Sequence, residues 1–258
     1  MSAAKDSRRS PANSMRHLRC DAMTHVPQPR PTSTTFAVAF DMDGLLVDTE
    51  PVWWRAEREV AESLGGTWTD EDSVSCVGGP MEKVADIIIA RAGQGERQTI
   101  IDAVIDRVAS LLGTHQAQWL PGARELLVDL SDRGVPVALV SASPRKVMAA
   151  VLAALGTDAD RFNFTVSADD VVRTKPDPMP YLEAAARFGI APGQLVVFED
   201  SGTGIRSAVD SGAIVYAVPH TSDVNFVGVF QMLTSLHEIS CDELIPAMMH
   251  TQHDAPQV

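Results

Sequence analysis

Two carboxylates one residue apart, Asp41 and Asp43, with Gly44 behind them, close a short apolar run over residues 36–40. That run has the length and composition of a buried strand. In a parallel α/β sheet the ligand crevice lies beyond the carboxyl ends of the strands, so the pair sits where chemistry is done. Neighbouring acids repel and resist desolvation unless a cation joins them, and a hard, oxygen-seeking ion such as Mg²⁺ answers that need. A solvated acidic turn is the alternative for such a pair in isolation. Three further runs follow in order: 137–141, apolar and ending in Ser141; 174–178, with Lys175 in a proline-stiffened loop; and 195–201, ending in Glu199 and Asp200 before Gly202 and Gly204. Each alone has a plain reading, as a helix cap at Ser141, a surface charge at Lys175, and a cap for a helix over 205–210 at Glu199-Asp200. Together they bring a nucleophilic carboxylate, a hydroxyl donor, a fixed cation and a second acid to one sheet edge. Phosphoryl transfer through an aspartyl intermediate requires that set.

The elements that must position these residues are legible in the hydrophobic pattern. After Pro121-Gly122 the chain alternates helix 122–133, strand 135–140, helix 144–155, strand 163–167, helix 178–189, strand 195–198, helix 202–211 and strand 214–218. That alternation predicts an α/β fold with a doubly wound parallel sheet. Between the first two motifs, residues 51–118 show helical periodicity. Pro51 suits a first helical turn, and Val52, Ala56, Val60 and Leu64 recur at i+4 until Gly65-Gly66; Met81, Val84 and Ile88, then Ile101, Val104, Ile105, Val108 and Leu112, repeat the pattern. The expected organisation is therefore an α/β core over 36–50 and 119–248 with a small helical bundle inserted at 51–118. Residues 1–35 carry a net charge of +4, prolines and a Ser/Thr run, with no apolar core of a secretory signal. They read as a disordered tail or an over-called start, with a transit peptide as the alternative; 249–258 also read as unstructured.

The ordered set D-x-D-G, strand-Ser, Lys-Pro and E-D-S-x-x-G-I resembles the haloacid dehalogenase superfamily of phosphohydrolases, over residues 36 to 218. More narrowly, it is similar to the branch of β-phosphoglucomutases and small sugar-phosphate phosphatases, and the string FDMDGLLVDTEP to bacterial 2-deoxyglucose-6-phosphate and hexitol-phosphate phosphatases. The resemblance implies Asp41 as nucleophile and Asp43 as general acid and base. It implies Mg²⁺ held by Asp41, the Asp43 carbonyl and Asp200, with Glu199 reaching it through water. Ser141, with Ala142 beside it, and Lys175 would bind the remaining phosphoryl oxygens. The insertion would be a mobile cap.

Substrate identity is less marked. Aligned on β-phosphoglucomutases, the positions of a cap histidine and a cap arginine fall near Trp53 and Met81, and a sugar-contacting lysine meets Pro144, with Arg145 next to it. Losing a phosphate-gripping arginine favours a phosphatase of sugar or polyol phosphates over a mutase. Trp53 and Trp54 offer faces to a sugar ring or packing to a helix start; Met81, Lys83 and Arg145 are the other specificity candidates. A dehalogenase would need neither Asp43 nor Glu199-Asp200. A response-regulator receiver would carry its acidic pair and acceptor in another order. The net charge of −13 argues against nucleic acid, and no apolar stretch is long enough to span a membrane. Cys20, Cys76 and Cys241 form no metal or disulfide pattern, which fits a cytoplasmic enzyme, read here as a monomer acting on a small phosphoester.

Overall fold

The computed structural model describes residues 36–77, 79–113, 118–219 and 227–244; the two expected tails lie outside these. Among these residues six parallel strands form one sheet: β1 (Ala37–Phe40), β2 (Val137–Val140), β3 (Phe164–Val166), β4 (Leu195–Glu199), β5 (Ile214–Ala217) and β6 (Gln231–Met232). Their order across the sheet is β3-β2-β1-β4-β5-β6. The chain thus winds outward from β1 in one direction and returns to add β4 on its other side. The β1/β4 seam is the point where the winding reverses, which in such sheets opens the ligand crevice.

Period-2 alternation of the strands builds two cores. Val38, Phe40, Val137, Leu139, Val196, Phe198 and Tyr216 point to one face, and Ala37, Ala39, Ala138, Val140, Val197 and Ala217 to the other. The first face carries the bulk, including a stack of Phe40 on Phe198 and Phe198 on Tyr216, with ring centroids 5.2 Å apart in each pair. It is covered by α5 (Ala123–Asp132) and α6 (Arg145–Leu155), which contribute Leu126, Leu127, Leu130, Val147 and Met148. The small residues of the second face let α7 (Met179–Phe188) and α8 (Gly202–Ser211) approach with Ala184, Ala185 and Ala208.

Among the described residues four helices are inserted between β1 and α5: α1 (Glu50–Ser63), α2 (Asp70–Cys76), α3 (Met81–Ala92) and α4 (Arg97–Leu112). Their periodic residues Ala56, Val60, Val84, Ile88, Val104 and Val108 are buried together, as the i+4 spacing predicts. Helix α2 escapes the periodicity reading because it is only two turns long. Its signature is instead a capping box, in which the Thr69 hydroxyl accepts from Asp72 N and the Asp72 carboxylate accepts from Thr69 N. Strand β6, two residues long with both side chains exposed, leaves no apolar alternation to read.

Gly122, the N-cap of α5, has φ of 81°, and a Cβ built on it would lie 2.2 Å from the His237 nitrogen. Gly122→Ala therefore combines left-handed strain with a backbone clash. The expected loss is about 2 kcal/mol or more in urea unfolding, and a loss under about 0.5 kcal/mol would contradict this packing of the 236–238 turn.

Candidate active site

The strand ends place the chemistry. Phe40 is in register with Phe198, and Asp41 N donates to Phe198 O at 3.1 Å, so Asp41 and Glu199 leave adjacent strands side by side at the winding reversal. Into this seam Lys175 extends from the loop before α7. Its Nζ donates to Asp41 Oδ1, to the Val140 carbonyl at 2.8 Å and to Glu199 Oε1 at 2.7 Å. All three donor positions of the ammonium are thereby used, and its side chain is 3% exposed. A lysine inside a protein is tolerated only when its charge is matched in this way. Burial works against the charge, but Asp41 and Glu199 outweigh it and hold the Lys175 ammonium above its usual range.

Glu199 is saturated. Oε1 takes Lys175 and the Tyr181 hydroxyl at 2.7 Å, and Oε2 takes Asp200 N at 3.1 Å, Ser201 N at 3.3 Å and Ser201 Oγ at 3.2 Å. Gly204 is required here, because a Cβ at that position would fall 1.8 Å from Glu199 Oε1. Carboxylate oxygens of Asp41, Glu199 and Asp200 lie within 4.8 Å of one another. Burial, then the neighbouring charges, pushes Asp200 well above the usual carboxyl range; Asp41 is raised by burial against the pull of Lys175. Three clustered acids against one ammonium would carry excess negative charge once ionised, and hard oxygen donors of this kind suit Mg²⁺.

Asp43 is held by three hydroxyls. Thr49 Oγ1 donates to Oδ1 at 2.5 Å, and Ser141 and Ser143 donate to Oδ2 at 3.1 and 2.7 Å. Gly44, with φ of 81°, turns the chain directly after it. Thr49 stands at the N-cap of α1 yet makes no capping bond, its hydroxyl being directed to Asp43 instead. Ser141 was expected to face phosphate; its Oγ points to Asp43 and also accepts from Ser143 N at 2.9 Å. Thr49 and Ser143 were not anticipated. The one signal for Ser143 was a second hydroxyl two residues beyond Ser141, whereas the missing capping bond of Thr49 shows only in the structure.

These groups face a cavity of about 250 Å³. Asp41, Asp43, Ser141, Ala142, Lys175 and Asp200 line its floor, with Trp53, Trp54, Glu57 and Met81 on the wall of inserted helices. Two of the expected specificity residues are not among its lining. Lys83 is turned away because its Nζ donates to Ser75 O, and Arg145 because it is paired with Asp170 on the surface.

Glu57 is the unforeseen member. It is 4% exposed, its Oε2 has no hydrogen-bond partner among the described residues, and burial pushes its carboxyl up to about 7. A carboxyl raised in the folded state favours folding below its unfolded value near 4.5 and loses that contribution as pH climbs toward 7, on the order of 3 kcal/mol in all. Glu57→Gln removes this titration. Urea unfolding should show variant and parent close together at pH 5 and the variant more stable at pH 8; a gap independent of pH would contradict the burial.

Residues 38–218 match the haloacid dehalogenase-like hydrolase family. Hexitol phosphatase B of Escherichia coli is 35% identical over 215 residues, covering 81% of this chain and 96% of that protein. A phosphorylated carbohydrates phosphatase of Thermotoga maritima is 31% identical over 186 residues, covering 72% and 86%. Among solved structures, CbbY from Rhodobacter sphaeroides in complex with xylulose-1,5-bisphosphate superposes with a TM-score of 0.70 at 25% identity, over 79% of this chain and 96% of that one. The match takes in β1, the helical insertion and the strand-end motifs bearing Asp41, Ser141, Lys175 and Asp200, and the chain belongs to the haloacid dehalogenase-like hydrolases.

Proposed function

We propose that the protein is a Mg²⁺-dependent phosphatase of small phosphorylated sugars or polyols, working through an aspartyl-phosphate at Asp41. The observation that carries this reading is the pairing of two aspartates in opposite settings. Asp41 is clamped to a buried ammonium, and Asp43 is oriented by three hydroxyls. An Asp41 oxygen attacks phosphorus while the phosphorus–alkoxide bond breaks, and Asp43 gives its proton to the departing alkoxide. Asp43 then takes a proton from water, whose oxygen attacks phosphorus and breaks the bond to Asp41, releasing inorganic phosphate. Lys175 neutralises the approach of two anions and fixes the Asp41 rotamer.

Asp41 and Asp200 are the residues that would hold the metal directly, with the Asp43 carbonyl; Glu199, its oxygens occupied by Lys175, Tyr181 and the 200–201 turn, positions rather than ligates. The ion supplies charge neutralisation and a Lewis acid for the transferring group. The four inserted helices act as the cap, closing the floor from water during transfer. Buried free Cys76 and Cys241 fit a cytoplasmic setting.

The cap wall favours a phosphatase over a mutase. Lys175 is the sole cation among the described residues that line the cavity, and it is already committed to Asp41 and Glu199. A mutase would need a second cation to grip the distal phosphate of a bisphosphate while it turns around.

Hydrolysis of 4-nitrophenyl phosphate should require added Mg²⁺ and stop with a chelator. Asp43→Asn should lower turnover by about 10²–10⁴, the usual worth of general acid–base catalysis. With β-glucose 1-phosphate and a catalytic amount of the bisphosphate, free phosphate should appear faster than glucose 6-phosphate. Full activity in excess chelator would overturn the metal role, and faster isomerisation would overturn the phosphatase reading.

A further inference from the structure

Thr49, Trp53 and Glu57 recur at i+4 and so share one face of α1. Thr49 ends that row at the Asp43 carboxylate, and Glu57 lies two turns further on, about 12 Å along the helix axis. The row thus runs from the reacting end of the cavity up its wall, a distance comparable with the reach of an extended six-carbon chain and its phosphate. Trp53 and Glu57 both line the cavity. Ser73, the nearby hydroxyl on the wall, accepts from Trp68 Nε1 at 2.8 Å and has its own structural task. Glu57 has none. No described residue donates to its Oε2, although the side chain is almost wholly withdrawn from water.

A buried carboxyl without a partner costs stability, and a leucine or glutamine there would cost less. Chains keep such a group where a ligand supplies the missing bonds. We propose that Glu57 reads the distal hydroxyls of the substrate. Its carboxyl hydrogen-bonds the far end of a polyhydroxylated alkyl phosphate whose phosphate lies at Asp41, and this rests on the phosphatase reading above. The same acid sets the substrate class by exclusion. It repels a second phosphate or a carboxylate at that end of the cavity, so bisphosphates and short phosphorylated acids are poor substrates. A neutral polyol or sugar tail, stacked along Trp53, is the tail that fits. With its carboxyl raised to about 7 by burial, the group offers both an acceptor and a donor near neutral pH, as a hydroxyl requires.

The test compares steady-state kcat and KM on sorbitol 6-phosphate and on 4-nitrophenyl phosphate, whose leaving group has no aliphatic hydroxyl, for the parent, Glu57→Leu and Glu57→Gln. Glu57→Leu should lower kcat/KM on sorbitol 6-phosphate by about 10- to 100-fold, mostly through KM, the worth of one or two hydrogen bonds to a charged group. On the aryl phosphate the change should stay within about threefold. Glu57→Gln, which keeps an acceptor, should fall between parent and Glu57→Leu on the polyol phosphate. Melting temperatures of both variants at or above that of the parent would support the proposal. Equal losses on the two substrates, or an unchanged value on sorbitol 6-phosphate, would overturn the role of Glu57 while leaving the phosphatase reading intact. A parent that hydrolyses neither ester would overturn both.

Discussion

The buried ammonium of Lys175 is the constraint on which the site depends. It joins Asp41, the proposed nucleophile, on the β1 end to Glu199 on the β4 end and takes the β2 carbonyl as its third acceptor. Three strand termini are thereby tied to one cation at the point where the sheet reverses its winding. Removing one partner of a buried, hydrogen-bonded ion pair leaves an uncompensated charge inside the protein, which typically costs 3–5 kcal/mol. Lys175, Asp41 and Glu199 consequently form one structural unit, even though their proposed chemical duties differ. Glu199 is the anchor, and Tyr181 and the 200–201 turn keep it in place so that Lys175 can keep Asp41 in place.

The two aspartates, one residue apart, acquire different characters. Asp41 is buried beside a cation, whereas Asp43 is half-exposed and ringed by hydroxyls of Thr49, Ser141 and Ser143. Separate environments for two neighbouring carboxyls are the usual route by which one serves as nucleophile and the other as proton carrier. The inserted helices add a third acid, Glu57, in a setting again different: enclosed, and without a donor to its Oε2 among the described residues. Stability is given up at this point in the inserted helices, whereas Lys175 and Glu199 at the sheet edge below have their hydrogen bonds filled.

Much of this was legible in the chain itself. The apolar runs predicted β1, β2, β3, β4 and β5 within about two residues, since buried parallel strands are short and mostly apolar. The i+4 rows around Val60, Ile88 and Val104 predicted three of the four inserted helices for the same reason of burial. That Asp41, Lys175 and Asp200 meet at one cavity was legible because each sits at a strand end or in a stiff loop. Thr49, Ser143, Tyr181 and Glu57 were not. Their roles arise from contacts between elements far apart in the chain, and a Thr at a helix start or a Glu on a helix looks ordinary in sequence. Lys83 and Arg145 lie off the cavity lining for the converse reason: long basic side chains find local acceptors, here Ser75 O and Asp170, that proximity in sequence to a motif does not reveal.

The most direct measurement is to locate the phosphoryl group itself. Rapid quench of the protein turning over a labelled phosphoester, followed by borohydride reduction and peptide mapping by mass spectrometry, converts an aspartyl-phosphate into a homoserine at the modified position. The account predicts that conversion at Asp41, with Asp43, Glu199 and Asp200 intact. Modification at any of those three positions, or steady turnover with Asp41 never modified, would contradict it.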